Sequence, residues 1–464
     1  MTNIPKCMST QHPDNAHAPA YATNGVIKGE GEIAEAVEVF QLGCDEQMWD
    51  SEGKDADNRV VQKLLSNHAD FFRDGPVLGR DCMITLRVPN PAIELEMRKS
   101  LVEALQGIPT ACDVSDGFYG ANAEPPIQEI ILPFTTNSNE LALIAAYYEQ
   151  YIVGQQDQLL VGETSVRDWI GEFRPKAIRV IPLIEDLEHM VTADTIVREF
   201  LETHNVPYQR VFLARSDPAL NYGSVGAELM LKIGLQRLSA LEEDLGIPIY
   251  PIIGAGAVPF RGHLSPRNVG RALSEYPSAQ TFTAQSAFKF DHPVDIVRAG
   301  IQQILGHERS APHQVDEPRA KVIIDKVAAE YQSQVRRLAP IIAKASPLVP
   351  RRRERKLHVG LFGYGRTLSG SADVTLPRAI AFAASLYSLG VPPEILGMTA
   401  LDAEDIAFLN ESYPNLSEDL SVALRFVNEY RVNELLGSEY AALVTKFASE
   451  IDRVHEGLTT AIWE

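Results

Sequence analysis

Short apolar or β-branched runs recur along the chain, and stretches with helical spacing separate most of them. Turn residues bound each run, which is typical of short buried strands. The runs are residues 41–44, 82–88, 128–134, 178–184, 210–214, 248–253, 279–283 and 357–362. Between them, stretches such as residues 93–105 place apolar residues three and four positions apart. This alternation predicts eight strands in a parallel sheet.

Two α/β folds satisfy the alternation, a doubly wound sheet and a (β/α)8 TIM barrel. The nucleotide fingerprint GxGxxG is missing after the early strands, and eight strand–helix units match the barrel. We therefore predict the barrel. About 250 residues suffice for it, so residues 319–345 and the stretch after Leu376 are expected to form additional helices. One domain over residues 1–464 is expected.

Composition and charge narrow the class of protein. The 464 residues are 45% hydrophobic and 22% charged, as in ordinary globular enzymes. A formal charge of −20 disfavours nucleic acid or an anionic membrane as partner. The four cysteines have no CxxC spacing, and neither an N-terminal apolar signal segment nor a long apolar run occurs. A cytoplasmic protein is expected. The RRRERK run at residues 351–356 is expected to be a solvated linker.

Two acids follow strand-like runs closely, Glu185 in AIRVIPLIED and Asp217 in QRVFLARSD. Parallel barrel strands deliver their C-terminal ends to one face, where two carboxylates can share a hard cation. Each acid alone is also an ordinary turn residue or helix N-cap. The pair predicts a metal site, with the turn reading as the alternative.

Arginines end or follow several other runs. Arg87 lies in TLRVPNP, Arg261 in GAGAVPFRG and Arg366 in GYGRTLSG, while Lys289 follows the seventh run. Guanidinium groups match phosphate and carboxylate geometry, so a phosphorylated anion bridged to Mg²⁺ suits this ring of cations. The alternative is that the arginines pair with nearby acids. The glycines of the two loops add amide groups that could hold phosphate oxygens.

Several of these motifs, in their order along the chain, resemble phosphoenolpyruvate carboxylases of the short, archaeal type. STQHPD resembles the T-x-H-P motif that bears the family's catalytic histidine, here His12. VIPLIEDLEHM and ARSDPALNYG are similar to the segments that carry the family's metal-binding glutamate and aspartate, which implies these roles for Glu185 and Asp217. The resemblance implies a barrel of the phosphoenolpyruvate/pyruvate type, with an N-terminal catalytic segment.

The remaining motifs of the resemblance carry arginines. GAGAVPFRG, GYGR and LPRAIAF are similar to family segments whose arginines handle phosphoenolpyruvate or bicarbonate, which implies such roles for Arg261, Arg366 and Arg378. Arg87 looks like the arginine of the family's D-I-R-Q motif. The loop with Trp49, Asp50 and Lys54 resembles one near the barrel mouth, expected to support the site from behind.

The chain departs from the long bacterial and plant pattern at one position above all. Leu220 stands where the long enzymes have the lysine that positions bicarbonate, so Arg215 and Lys289 are the candidates to replace it as substrate-binding residues. Ala255 stands where the glycine-rich loop has its first arginine. The phosphate-binding groups are therefore expected to be assembled differently here.

The resemblance implies the carboxylation of phosphoenolpyruvate with bicarbonate to oxaloacetate and phosphate, through carboxyphosphate and an enolate. It implies Mg²⁺ on Glu185 and Asp217, with Mn²⁺ as the alternative ion, catalytic roles for His12, Arg87, Arg261 and Arg366, and a homotetramer. Two other functions stay open. One is a different Mg²⁺-dependent carbon–carbon lyase on the same kind of barrel, and the other is a non-catalytic metabolite-binding paralogue, which the loss of lysine at Leu220 suggests.

Overall fold

The computed structural model describes residues 4–51, 56–354, 366–367, 375–446 and 448. Eight parallel strands form a closed barrel in which each strand pairs with its neighbours in sequence, and the first pairs with the second and the eighth. The strands are β1 Cys7–Ser9, β2 Glu46–Asp50, β3 Met83–Arg87, β4 Glu129–Leu132, β5 Arg179–Ile184, β6 Gln209–Ala214, β7 Ile249–Gly254 and β8 Thr281–Ala284. The predicted (β/α)8 barrel is confirmed.

Helices follow most strands and cover the outside of the barrel. They are, within the described residues, α1 Glu30–Leu42, α2 Val60–Asn67, α3 Ala69–Asp74, α4 Arg98–Tyr119, α5 Ser138–Tyr147, α6 Val166–Ile170, α7 Leu187–Met190, α8 Ala193–Thr203, α9 Ser216–Leu245, α10 Val269–Glu275, α11 Ser286–Phe290, α12 Val294–Leu305, α13 Glu317–Ala345, α14 Ala379–Leu389, α15 Ala403–Ser412, α16 Leu416–Leu424 and α17 Glu429–Leu436. A hairpin of Leu159–Val161 and Thr164–Ser165 lies between β4 and β5.

One of the predicted strands is wrong as a barrel member, and another is not described by the structure. The run at 41–44 is the last turn of α1, which ends at Gly43 in the left-handed conformation with φ of 105°. The true β2 begins two residues beyond the run. The predicted eighth strand at 357–362 lies outside the described residues. The barrel is closed instead by β1, a strand of three residues next to the N-terminus.

The barrel interior is packed and not hollow. Buried apolar side chains from several strands fill its middle, among them Met48, Ile181, Phe212 and Ile252. Below them, Arg210 donates hydrogen bonds to Glu46, Glu129 and Thr281 at 2.7 to 3.0 Å, and each of these residues lies at or near the start of its strand. This buried ion cluster closes the N-terminal end of the barrel, the end that serves stability in this fold.

The long helices beyond the barrel hold the C-terminal part of the chain. A second apolar cluster joins α9, α13 and α14, and includes Leu220, Tyr331, Val335 and Phe382. The expected additional helices after β8 are thus present as α13 and α14 to α17. Among the described residues no single helix is long and apolar enough to cross a membrane. Two helical segments with a bend of 94° between them, Ala379–Leu389 and Pro393–Ala400, reach the required length and hydropathy only when they are taken together.

Candidate active site

A cavity of about 850 Å³ opens at the C-terminal ends of the barrel strands. This is the end where barrel enzymes place their active sites. Predicted site residues line it together, although they are spread over most of the chain. They are His12, Arg87, Glu185, Asp217, Arg261 and Arg378. The structure therefore assembles the predicted acids, three of the predicted arginines and the predicted histidine around one space.

The two acids reach the cavity from neighbouring strands. Glu185 directly follows β5 and is only 7% exposed. Asp217 is half-buried in the first turn of α9, which follows β6. The positive end of the helix dipole favours an ionised carboxylate there. Among the described residues, no group of three or more acids, histidines or cysteines is arranged to hold a metal.

The helix that carries Asp217 is broken at Gly223, whose backbone has φ of 80° and ψ of 168°. Glycine tolerates this conformation, and a Cβ atom here would come within 3.2 Å of the Tyr331 ring. The break separates the short segment Ser216–Tyr222 from the long part of α9 that covers the barrel. The local sequence NYG thus lets the short segment with Asp217 take a direction different from that of the long part of α9.

Arg87 is fixed by an acid on the adjacent strand. It is the last residue of β3, and Asp50, its direct partner in register, is the last of β2. Arg87 Nε and Nη2 donate to the two Asp50 oxygens, both at 2.9 Å. Such a bidentate pair sets the plane of the guanidinium group. Asp50 therefore holds the guanidinium group of Arg87 in place from behind. Trp49, also expected to support the site, donates to the carbonyl of Asp57, and Lys54 lies outside the described residues.

Arg261 lies across the mouth of the barrel and holds three loops together. Its guanidinium group donates to Asp14 (2.8 Å), Ser216 (3.1 Å) and Gln285 (2.6 Å). A Cβ atom on Gly256 would lie 2.6 Å from Arg261 Nη1, so the glycine makes room for the side chain. Burial lowers the pKa of Arg261, and Asp14 opposes that shift. Arg87 and Arg261 thus each pair with an acid, which orients their guanidinium groups, and their role in anion binding stays a prediction.

His12 belongs to the barrel and not to a mobile tail. It follows β1, and its Nδ1 lies 2.9 Å from the Thr10 hydroxyl. The backbone oxygen of His12 accepts from Ser286 N at 3.2 Å. Asp14, two residues on, accepts from Ala287 N at 2.7 Å as well as from Arg261. The N-terminal segment is therefore tied to the loops after β7 and β8.

The structure does not bring Arg215 or Lys289 to the cavity, so their prediction as substrate-binding residues is not supported. Arg215 is 0% exposed, and its guanidinium group donates to Glu228, Ser224 and the carbonyl of Phe260. Lys289 is 4% exposed, and its amine donates to Ser9, Thr10 and Glu35. The burial and pairing of these two cations cannot be seen in a linear motif.

Other predictions fall at the edge of the described residues. Arg366 starts a short strand that pairs with Leu376, and only its backbone is described. The solvated linker at 351–356 is wrong for Arg353, which is 4% exposed and lies against α1, while Arg352 donates to the carbonyl groups of Asn15 and Ala16. Arg351, Arg352 and Arg353 all line the cavity.

Sequence reasoning also missed two groups that organise this site, Asp14 and Glu35, and it gave no role to a third, Gln285. Asp14 had a detectable signal, because it lies in the same motif as His12. Glu35 had a weaker one, an acid among the apolar residues of α1. Gln285 directly follows β8, a position that the strand-end argument covers in general but does not single out.

A closed parallel barrel whose strand ends gather carboxylates, arginines and a histidine around one cavity defines a TIM-barrel enzyme with a site for small anions. Within that class, the chain belongs to the phosphoenolpyruvate carboxylase family. The family model described as "Phosphoenolpyruvate carboxylase" matches residues 4–460.

Relatives agree with the family assignment. The chain is 50% identical to the phosphoenolpyruvate carboxylase of Methanospirillum hungatei over 92% of this chain and 87% of the relative, and 47% identical to that of Pyrococcus abyssi over 97% and 94%. A solved aldolase/citrate lyase family protein from Burkholderia cenocepacia is 14% identical, with a TM-score of 0.35 over 65% of this chain and 93% of the other. That structural likeness is too low to support an argument.

Proposed function

We propose that this protein carboxylates phosphoenolpyruvate with bicarbonate to give oxaloacetate and phosphate. The observation that carries the proposal is the single cavity lined by His12, Glu185, Asp217 and several arginines, in a chain that belongs to this family. The substrates are anions, whereas the chain has a formal charge of −20. Locally placed cations are therefore needed to bind them.

The arginines would hold the phosphoryl and carboxylate groups. Arg87 and Arg261 are each anchored by an acid, Asp50 and Asp14, so their guanidinium groups are oriented before a substrate arrives. Preorganised donors stabilise charge that develops on phosphoryl oxygens, because little reorganisation is needed during transfer. Arg378, at the start of α14, adds a third cation to the cavity. Arg366 is assigned to the same task on the family resemblance.

Glu185 and Asp217 would hold Mg²⁺ or Mn²⁺. Both supply oxygen ligands, which suit these hard cations, and both line the same cavity. When bound, the cation would neutralise the enolate oxygen as it forms. Two protein ligands suit this role, because octahedral coordination then keeps other positions for water and substrate oxygens.

The proposed reaction has three steps. A bicarbonate oxygen attacks phosphorus and the bond to the enol oxygen breaks, which gives carboxyphosphate and the enolate. Carboxyphosphate then splits into CO₂ and phosphate, and the enolate carbon attacks CO₂ to form the new carbon–carbon bond. His12 would hold the proton that passes from the bicarbonate group to phosphate, a task suited to an imidazole, which can both accept and donate a proton.

A coupled assay tests the proposal. Purified protein, Mg²⁺, phosphoenolpyruvate and bicarbonate should yield oxaloacetate that malate dehydrogenase reduces, and omission of bicarbonate should abolish the signal. A double Glu185→Gln, Asp217→Asn variant is the matched control and should be inactive. Bicarbonate-independent cleavage would favour another lyase, and tight substrate binding without any product would favour a metabolite-binding paralogue.

We also propose a homotetramer in the cytoplasm, and one domain over residues 1–464. The four cysteines are buried free thiols, which fits a reducing compartment. The apolar cluster that α9 and α13 share with the C-terminal helices supports a single domain. The tetramer rests on the family resemblance alone, and size-exclusion chromatography with light scattering would test it.

A further inference from the structure

A buried set of charged side chains lies beside the segment that carries His12. Lys289 Nζ donates to Glu35 Oε1 at 2.9 Å, and Arg353 Nη2 donates to the two Glu35 oxygens at 2.9 and 2.7 Å. Arg353 Nη1 also donates to Glu32 at 3.0 Å. The side chains of Lys289, Glu35 and Arg353 are 0% exposed. The charges of two cations and two acids thus cancel each other in the protein interior.

This network is connected to the imidazole of His12 through Thr10. Lys289 Nζ donates to the Thr10 carbonyl and to the Ser9 hydroxyl, both at 2.9 Å. The amide of Thr10 donates to the Ala284 carbonyl at 3.1 Å. With its backbone held on both sides, Thr10 presents its hydroxyl to His12 Nδ1 at 2.9 Å. That contact fixes the ring orientation, and the proton-holding role proposed for His12 then falls to Nε2.

The network joins parts of the chain that are far apart in sequence. Glu32 and Glu35 come from α1, Lys289 comes from α11 and Arg353 follows α13. Burying such charges is costly, and well-packed apolar residues would serve stability as well or better. The carboxyl of Glu35 has its pKa lowered to about 2, because the attraction of Arg353 and Lys289 outweighs the opposing effect of burial. The acid therefore stays ionised at neutral pH and keeps both cations in place.

We propose that Lys289, Glu35 and Arg353 are positioning residues that fix Thr10, and through it the ring of His12, and so decide how much of the enolate is carboxylated. The inference rests on the function proposed above. Lys289 acts through the backbone of Thr10 and not on the substrate, which explains why the structure keeps this amine out of the cavity.

A misplaced His12 would have a specific chemical consequence. Release of CO₂ from carboxyphosphate would slow, while phosphoryl transfer to bicarbonate would already have produced the enolate. Protonation of that enolate by water gives pyruvate instead of oxaloacetate. The ratio of pyruvate to oxaloacetate thus reports the position of His12, whereas a loss of folded protein lowers both products equally.

The experiment uses full-length protein with Lys289→Met. Oxaloacetate is trapped by malate dehydrogenase, pyruvate is measured with lactate dehydrogenase, and total phosphate release gives the overall turnover. We expect the ratio of pyruvate to oxaloacetate to rise by about tenfold, with the KM for phosphoenolpyruvate changed less than about twofold, since a small misplacement of a reacting group has effects of this order. Glu38→Gln, on α1 but bonded to Tyr21, is the matched control and should keep the wild-type ratio.

An unchanged ratio in folded Lys289→Met protein would overturn the inference. If that variant does not fold, Thr10→Val decides, because it removes only the hydroxyl beside His12 Nδ1. A raised ratio in Thr10→Val would then support the inference and an unchanged one would overturn it. Wild-type protein that makes no oxaloacetate would contradict the proposed function instead.

Discussion

Leu220 occupies the position where the long enzymes of the family have a lysine, and the structure buries it completely. Its side chain lies in the apolar cluster with Tyr331, Val335 and Phe382. The two cations that could have replaced the lysine, Arg215 and Lys289, are bonded elsewhere. We propose that Arg378, a cation that lines the cavity, positions bicarbonate instead.

The burial of Leu220 makes a direct prediction. Leu220→Lys places an amine among apolar side chains and should lower the free energy of unfolding by about 3 kcal/mol, without any gain in bicarbonate affinity. Leu220→Met is the control and should cost less than about 1.5 kcal/mol. Denaturant unfolding measures both. A stable Leu220→Lys protein with a lower KM for bicarbonate would show that the position still belongs to the site.

The metal assignment makes a second prediction. Asp217→Asn should raise the Mg²⁺ concentration needed for half-maximal activity by at least about tenfold, because a charged oxygen ligand is lost. Asp244→Asn changes an acid at the far end of the same helix, paired with Arg198, and should leave the requirement unchanged. Mg²⁺ titration of the oxaloacetate rate measures both. Wild-type metal dependence in Asp217→Asn would remove this residue from the ligands.

At the scale of elements, the break in α9 determines how Asp217 enters the cavity. Gly223→Ala should lower the free energy of unfolding by about 1–3 kcal/mol, because φ of 80° is strained for alanine and the Tyr331 ring is close. It should also raise the Mg²⁺ requirement. Gly117→Ala, inside α4 with open space around its Cβ, should be neutral or slightly stabilising. Equal behaviour of the two variants would contradict a structural role for the break.

The C-terminal helices are joined to the loop after β7 through Glu394. This buried carboxylate accepts from Phe260 N at 2.7 Å and from the Tyr387 hydroxyl. Burial raises the pKa of Glu394 to about 7, so the folded protein holds its proton more tightly than the unfolded chain does.

The stability that Glu394 contributes is therefore fully present at low pH and is lost as the pH rises towards 7. Between about pH 4.5 and 7 the free energy of unfolding should fall by up to about 1.4 kcal/mol per pH unit from this group. Glu394→Gln should remove that slope, whereas the exposed Glu404→Gln should keep it. Urea unfolding at several pH values tests this, and an identical slope in Glu394→Gln would contradict it.

The sequence predicted elements best where a strand is apolar. The predicted ends of β3 to β8 lie within one or two residues of the observed ends, because runs of Ile, Val and Leu between turn residues are typical of buried strands. β2 was missed because EQMWD carries a buried glutamate, glutamine and aspartate that serve the interior and the site. β1 was missed because three residues are too few for a periodic signal.

At the scale of the whole molecule, residues more than three hundred positions apart in the sequence meet beside the cavity. The backbone of Ile27 pairs with that of Arg353, and Arg352 donates to the carbonyl groups of Asn15 and Ala16. Charged residues at the ends of strands can be recognised in the sequence, because the barrel repeats the same arrangement of strand and following loop. Pairing across more than three hundred residues leaves no periodic pattern, so the network around Glu35 could not have been predicted.

The whole molecule also concentrates arginines around the proposed site. A chain with a formal charge of −20 places Arg87, Arg261, Arg351 and Arg378 around one opening. This distribution repels anions from most of the surface and attracts them to the barrel mouth. We propose that the phosphoryl group is transferred to bicarbonate at this mouth before the new carbon–carbon bond forms.

Bicarbonate labelled with oxygen-18 tests that claim most directly. In the proposed reaction one bicarbonate oxygen becomes bonded to phosphorus and remains there when CO₂ leaves. Mass spectrometry of the products should therefore find one labelled oxygen in each phosphate, together with label in the new carboxylate of oxaloacetate. Phosphate without label, formed at the same rate as oxaloacetate, would contradict the account.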